Sequence, residues 1–335
     1  MRHFVTILMP ALNEEAHIET AISSLLASAT PDVLELIVLD GGSTDKTEKL
    51  VLAMAERDSR IKWVDNPERL QAAAINLGAK LADPRSTILV RADCHADYPK
   101  HFIAHCTAPL IEEKAESVVV PMHTHGRHTW QRAIAYAQNS LLGNGGAKHR
   151  RRPTSHYVDH GHHAAYLRSA FLAIGGYNQT MAANEDAEFD FRFHKAGFRI
   201  WLESAAMITY FPRPTLKSLA RQYFRYGIGR ATTCLMHRIW PKPRQILPAI
   251  IVVVCLIAFA LSFWQENFLI IPLSYAALCH AFALPMLMRR RDPSALLSGL
   301  AAMVMHVSWG TGFLKQIIAH STLRKCTRAG TSSNR

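Results

Sequence analysis

The stretch Val38–Thr47, VLDGGSTDKT, ends an apolar run at Asp40, turns through Gly41-Gly42-Ser43-Thr44 and reaches a second carboxylate at Asp45. Upstream lies the apolar run Leu34–Leu39, and downstream Thr44–Glu56 is amphipathic, so the stretch reads as a strand feeding a helix. Turns of this kind that cradle phosphate carry G-x-G-x-x-G or G-x-x-x-x-G-K-S/T. Neither pattern is present, so neither a dinucleotide fingerprint nor a P-loop is supported. Similar apolar runs occur at Phe4–Met9, Ile61–Val64, Thr87–Val90 and Ser117–Val120, and Ile18, Ile22, Leu25 and Leu26 recur at helical spacing. This alternation predicts an α/β fold with a mostly parallel, doubly wound sheet, whose ligands bind beyond the carboxyl ends of the strands.

The polar clusters fall at those ends. Pro10-Ala11-Leu12-Asn13-Glu14-Glu15 follows the first run, Asp40–Asp45 the second, and Arg91-Ala92-Asp93-Cys94-His95-Ala96-Asp97 the fourth. A single acidic turn is an ordinary helix cap, which Ser43 or Thr44 with Asp45 would supply. Three at one sheet edge suit the donor groups of a base and ribose, together with a divalent cation carrying a diphosphate.

The last third of the 335-residue chain differs in kind. Ile246–Trp264 and Phe268–Met288 contain no charge and are separated by Gln265, Glu266 and Asn267. Each is long enough to cross roughly 30 Å of hydrocarbon as a helix. Arg238, Lys242 and Arg244 before this hairpin and Arg289, Arg290 and Arg291 after it put both ends on the cytoplasmic side. A third segment, Ala295–Ile318, carries His306, three glycines and Lys315. If it spans, the basic residues Arg324, Lys325 and Arg328 land outside; spanning, re-entry and an interfacial lie all stay open.

The expected organisation is therefore a cytosolic domain over 1–240, with an interfacial segment near 215–240, then a membrane region over 246–319 and a basic tail over 320–335. No signal-peptide pattern is read at the N-terminus. Cys94, Cys106, Cys234, Cys255, Cys279 and Cys326 show no paired spacing, so neither disulfides nor a cysteine zinc site is expected. The net charge of +12 suits anionic membrane lipids, and no nucleic-acid-binding motif accompanies it.

The ordered set of clusters resembles the family 2 glycosyltransferases of GT-A fold over about residues 4–230. The residues that carry the resemblance are Pro10–Glu15, Asp40–Asp45, Asn76-Leu77-Gly78, the Asp93 cluster, Gly175-Gly176-Tyr177, Glu185-Asp186 and Gln222-Tyr223-Phe224-Arg225-Tyr226. With a membrane hairpin following, the sequence looks most like the succinoglycan-type exopolysaccharide enzymes. That resemblance implies transfer of a hexose, glucose first, from a UDP-sugar to a lipid-diphosphate-linked saccharide. It also implies the bacterial inner membrane, a catalytic domain facing the cytosol, and other polysaccharide-assembly enzymes as partners.

The resemblance implies roles for individual residues. Asp40 accepts from uracil or ribose, and Pro10, Ala11, Asn13 and Glu15 line the nucleotide pocket, while Asp45 serves the donor or only caps the next helix. The family places Asp-x-Asp after the fourth strand; here Asp93 matches the second aspartate and Arg91 replaces the first. Asp93 then meets Mn²⁺ or Mg²⁺ on the donor diphosphate, with His95 as an extra ligand that favours Mn²⁺; Asp97 is either part of this set or a plain loop residue. Asp186 is the base for an inverting displacement and Glu185 supports it or contacts acceptor.

Gln222 to Tyr226 matches Gln-x-x-Arg-Trp with tyrosine last, so Arg225 contacts diphosphate while Gln222 and Tyr226 face the acceptor; an amphipathic interfacial helix explains the same residues. His156, His160, His162 and His163 have no trusted zinc spacing, and His162 is taken as acceptor-pocket lining. Lys148–Arg152 is a solvated basic loop or an attractor for lipid diphosphate. Two rival readings are a non-catalytic membrane scaffold, suggested by Arg91, and a metal-dependent hydrolase built on the histidines.

Overall fold

The computed structural model describes residues 2–144, 154–181 and 183–332. The basic run Lys148–Arg152 lies outside the described residues, as do the side chains of Arg324, Lys325 and Arg328. The chain forms two compact units, Met1–His123 with Lys148–Tyr210, and Thr124–Ala147 with Phe211–Arg335. These units divide the chain differently from the expected boundary at 240, because Thr124–Ala147 and the segment from Phe211 group with the apolar helices.

In the first unit the chain runs β1 (Phe4–Ala11), α1 (Ile18–Ala27), β2 (Val33–Asp40), α2 (Thr47–Ala55), β3 (Ile61–Asp65), α3 (Gln71–Leu81), β4 (Ser86–Arg91), β5 (Ala96–Asp97), α4 (Phe102–Ile111), β6 (Ser117–Val120) and β7 (Met122–Thr124). After α5 (Thr129–Asn139) and α6 (Leu141–Asn144) of the second unit it returns as β8 (His156–Tyr157), β9 (His162–Leu167), α7 (Arg168–Ala173), α8 (Glu185–Lys195), β10 (Ile200–Leu202) and β11 (Ile208–Tyr210). The main sheet has the order β3-β2-β1-β4-β9-β6-β10-β8. Strands β1 to β4 pair in parallel, as β10 does with β6, whereas β9 runs antiparallel between β4 and β6.

The alternation along β1 explains the two-layered cover. Val5, Ile7 and Met9 join Ile18, Ile22 and Leu25 of α1 in one core, while Leu8 joins Ala72, Ile75 and Ala79 of α3 on the opposite face. A strand buried on both faces reads as a continuous apolar run, which is why β1, β2 and β4 stand out in the sequence. Gly78 brings α3 onto β1: a Cβ there would lie 2.6 Å from Leu8 Cδ2.

The second unit is helical: α5 and α6, then α9 (Leu216–His237), α10 (Pro243–Leu261), α11 (Ile270–Ala281), α12 (Leu284–Arg290) and α13 (Ser298–Ser332). Thr215 and Ser218 form a capping box that starts α9. Three segments are long and apolar enough to cross a membrane: Pro243–Leu261, Glu266–Arg290 and Pro293–Ser321. The third, left open above, is the inner one, with 44% of its apolar window buried against 17% and 11% for the others.

Glycines make that packing possible. A Cβ on Gly227 of α9 would meet Trp309 O of α13 at 2.0 Å, and one on Gly312 would meet Phe224 O at 2.1 Å. Gly310 faces α10, where a Cβ would sit 2.4 Å from Pro248 O. Between helices in lipid, close backbone approach supplies the van der Waals attraction that an apolar surface alone does not. Gly227→Leu is accordingly expected to push α9 from α13 and cost about 1–3 kcal/mol, read as a lowered Tm in detergent; an unchanged Tm would refute the close crossing. His306 of α13 is also structural: Nε2 donates to Leu142 O at 2.8 Å, which leaves Nδ1 to accept from Tyr275 OH at 2.9 Å.

Candidate active site

The loops after β1 and β2 are tied together. The Asn13 N–H donates to Ser43 Oγ at 2.8 Å, and Asn13 Oδ1 accepts from the Thr44 N–H at 2.8 Å. The N–H groups of Glu14 and Glu15 donate to Thr47 Oγ1 and Asp45 Oδ2, at 2.8 and 3.1 Å, while Glu15 Oε2 accepts from the Lys46 N–H at 3.0 Å. Pro10 and Ala11 end β1, where Ala11 O accepts from the Gly41 N–H at 2.8 Å.

Asp40 builds its own turn. Its Oδ2 accepts from the N–H groups of Gly42 and Ser43, both at 2.8 Å, and Oδ1 accepts from Ser43 Oγ at 2.5 Å. Gly42 has φ +85°, and Arg69 covers it. Asp45 caps α2 by accepting from the Thr47 N–H and hydroxyl. The two aspartates of VLDGGSTDKT therefore fix the shape of the loop.

Arg91 ends β4 with its side chain only 7% exposed. Its Nε lies 3.6 Å from Asp93 Oδ1 and its Nη1 3.8 Å from Glu185 Oε1. Asp93 Oδ1 also accepts from Gln71 Nε2 at 3.1 Å, and the Asp93 backbone is pinned by Tyr98 OH, which accepts from its N–H and donates to its carbonyl. His162 Nε2 stands 3.7 Å from Asp93 Oδ2. Burial pushes His162 down to about 4, so at neutral pH it is uncharged. Burial tends to raise Asp93, but Arg91, with His162 and His95 adding to its effect, holds it below the usual carboxylate range.

Glu185 and Asp186 open α8, where the helix dipole favours negative charge. The Gly175-Gly176 turn positions them through Arg192, whose Nη1 donates to Ile174 O at 2.6 Å and Nη2 to Gly176 O at 2.7 Å. Gly176, at φ +69°, leaves room for Asn76, whose amide pairs both ways with the Tyr177 backbone at 2.7 and 2.8 Å. The neighbouring carboxyls are driven apart. Burial and then Asp186 push Glu185 up; burial also acts to raise Asp186, but His160 and His163 outweigh it and hold Asp186 low. Such divergence marks out distinct acid–base roles.

The Glycosyl transferase family 2 model matches residues 6–175. The chain is also 41% identical over 314 residues to the succinoglycan biosynthesis protein ExoA of Rhizobium meliloti (strain 1021), covering 93% of this chain and 94% of that one. It belongs to glycosyltransferase family 2. A second model, Glycosyl transferase family group 2, matches this glycosyltransferase over residues 99–307. The poly-beta-1,6-N-acetyl-D-glucosamine synthase of Staphylococcus aureus (strain COL) is 28% identical over 240 residues, 67% of this chain and 54% of that one. Among solved structures, the mannosyltransferase of Pyrobaculum calidifontis, in complex with GDP-Man and Mn²⁺, superposes with a TM-score of 0.59 at 19% identity. That likeness covers 95% of this chain and 88% of the other, and shows the GT-A fold.

Within the glycosyltransferase unit the structure brings together Asp93, Arg91, His162, Glu185 and, beside Glu185 in sequence, Asp186. His95 pairs instead with Glu14, Nδ1 to Oε1 at 3.5 Å, and packs edge-on against Tyr210. The histidines do not converge on one another: His160 and His163 both bind Asp190, and His156 is half-buried with Nδ1 2.6 Å from Thr154 O. Among the described residues no group of three or more His, Cys, Asp or Glu is placed to hold a metal, which removes the support for a histidine-cluster hydrolase. The donor set at Asp93, one carboxylate with imidazole beyond it, fits a cation that draws its other ligands from phosphate oxygens and water. Gln222, Arg225 and Tyr226 lie on α9 in the second unit, where Gln222 Nε2 donates to Tyr226 OH at 2.9 Å and Arg225 is exposed.

Proposed function

We propose that the protein is an inverting hexosyltransferase of exopolysaccharide assembly, moving glucose from UDP-glucose to a lipid-diphosphate-linked saccharide at the cytosolic face of the bacterial inner membrane. The observation that carries the chemistry is the carboxyl pair at the head of α8, with Asp186 held low beside a buried cluster containing Asp93. The 41% identity to a succinoglycan biosynthesis protein supports the pathway, and the three apolar segments support the membrane setting.

In this reading Asp186 takes the proton from an acceptor hydroxyl as that oxygen forms its bond to the anomeric carbon. The bond from that carbon to the diphosphate breaks on the opposite side, and UDP leaves with the electron pair. An ionised carboxylate suffices, since the hydroxyl becomes acidic as the new bond forms. Pro10, Ala11, Asn13 and Glu15, on the loop that Asp40 and Asp45 shape, receive the nucleotide. Asp93 would hold Mn²⁺ or Mg²⁺, with His95 as further ligand; when bound, the ion offsets charge on the departing diphosphate. His162 faces the acceptor. Other polysaccharide-assembly enzymes supply the acceptor and consume the product.

The test is titration of UDP-glucose, UDP-galactose and GDP-mannose into detergent-purified protein, with and without Mn²⁺. The expected result is Mn²⁺-dependent binding of UDP-glucose in preference to the others. Preference for GDP-mannose overturns the donor assignment, and binding indifferent to Mn²⁺ overturns the role of Asp93 as a metal ligand.

A further inference from the structure

Behind the carboxylates lies a buried polar chain that the proposed reaction does not use. Asp190 of α8 is 1% exposed, accepting at Oδ1 from His163 Nε2 and at Oδ2 from His160 Nδ1, each at 2.6 Å. His163 Nδ1 faces Tyr177 OH at 2.5 Å, Tyr166 OH also meets Tyr177 OH, and Arg91 Nη1 donates to Tyr177 OH at 3.1 Å. A carboxylate only accepts, so His163 Nε2 carries a hydrogen and donates to Asp190 Oδ1, while Tyr177 OH links His163 Nδ1 to Arg91 Nη1. Phe189 walls the chain, with its ring 5.0 Å from Tyr177 and 5.4 Å from His163.

Burying these groups costs more than burying apolar residues of similar volume would, so stability alone does not account for them. What the chain supplies is position, since it ends on the Arg91 guanidinium, which lies between Asp93 and Glu185. We infer that Asp190 is a positioning residue for glycosyl transfer: through His163 and Tyr177 it fixes the Arg91 guanidinium, and Arg91 sets the spacing of Asp93 and Glu185. The low carboxyl of Asp190, held down to about 2 by His163 and His160 against the effect of burial, keeps it an acceptor throughout the working range. The inference rests on the proposed roles of Asp93 and Glu185.

The experiment is a double-mutant cycle in the full chain, assayed as nucleoside diphosphate release in membranes that supply acceptor. The wild type is first run with UDP-glucose, UDP-galactose and GDP-mannose, so that a wrong donor assignment shows there and leaves the cycle to be read on the active donor. Asp190→Asn should lower kcat about tenfold with donor KM changed less than about twofold, a size usual for partners of functional side chains. In a Tyr177→Phe background, which removes the hydroxyl that receives Arg91, Asp190→Asn should add almost nothing. Losses that multiply across the two variants, or that fall in KM alone, overturn the inference. If Asp190→Asn does not fold, Asp190→Glu keeps both acceptor oxygens, and its smaller kcat loss should likewise vanish with Tyr177→Phe. Should no donor turn over, a structure of Asp190→Asn decides: Arg91 displaced from Asp93 and Glu185 supports the inference, and Arg91 in place refutes it.

Discussion

Asp186→Asn should reduce transfer by about 10²–10⁴-fold, the range for loss of a general base, while nucleoside diphosphate affinity stays within about twofold. The substitution keeps shape and an oxygen to accept from the Ala187 N–H, 2.8 Å away in the wild type, so the start of α8 should survive. What disappears is the one carboxyl of the pair that its surroundings hold ionised. Because His160 and His163 keep Asp186 below the ordinary range, the wild-type rate should hold as pH falls from neutral through the weakly acidic range and drop only when Asp186 gains its proton. Glu185→Gln should be milder, since burial and Asp186 already favour the protonated form at that position. An equal loss of nucleotide affinity in Asp186→Asn would make Asp186 a donor ligand and send the search for the base elsewhere.

How far the site could be read from sequence depended on the range of the interactions. The strands β1, β2 and β4 are buried on both faces, and the polar clusters at their ends follow from that layout. β9 was not anticipated: HHAAYL opens with two histidines, and its place between β4 and β6 rests on antiparallel pairing with residues far away in sequence. Asp190 was missed for a similar reason. It sits one helical turn after Asp186, which was a usable signal, but its partners His160 and His163 lie thirty and twenty-seven residues upstream. The histidines drew attention as a metal cluster, whereas in the fold His160 and His163 share Asp190 and His162 faces Asp93. Helix α5 reads as an ordinary polar helix, but Ile134 and Ala137 pack with Leu219, Ala301 and Met305, and Tyr136 OH donates to Asp292 at 2.9 Å with Arg132 3.0 Å from the same carboxylate, so it groups with the apolar helices. Arg91 was legible as a departure from a family pattern; its role was not, because that depends on Tyr177 and Glu185 across long stretches of chain.

Arg91→Met tests that role most severely. The variant keeps an unbranched side chain of similar reach but removes the cation from beside Asp93 and Glu185, and leaving a buried partner uncompensated costs about 3–5 kcal/mol. The pH dependence identifies the cause. In the wild type Asp93 is held below its unfolded value by Arg91, so its contribution is present above that unfolded value and fades as pH falls through the folded one. Without Arg91, burial dominates and the folded value rises; stability is then greatest below the unfolded value and is lost as pH climbs. The two proteins should therefore differ most near neutral pH and converge toward about pH 4, followed as Tm in detergent. A deficit constant across pH would mean lost packing rather than lost charge. Arg91→Asp, which writes Asp-x-Asp after β4, sharpens the contrast: it should be at least as unstable alone, yet Mn²⁺ should raise its Tm more than that of Arg91→Met, because a ligand that binds only the folded state stabilises it. If Mn²⁺ moves neither variant, Asp93 is not where the cation binds, and Arg91 would be left as the cation facing the diphosphate.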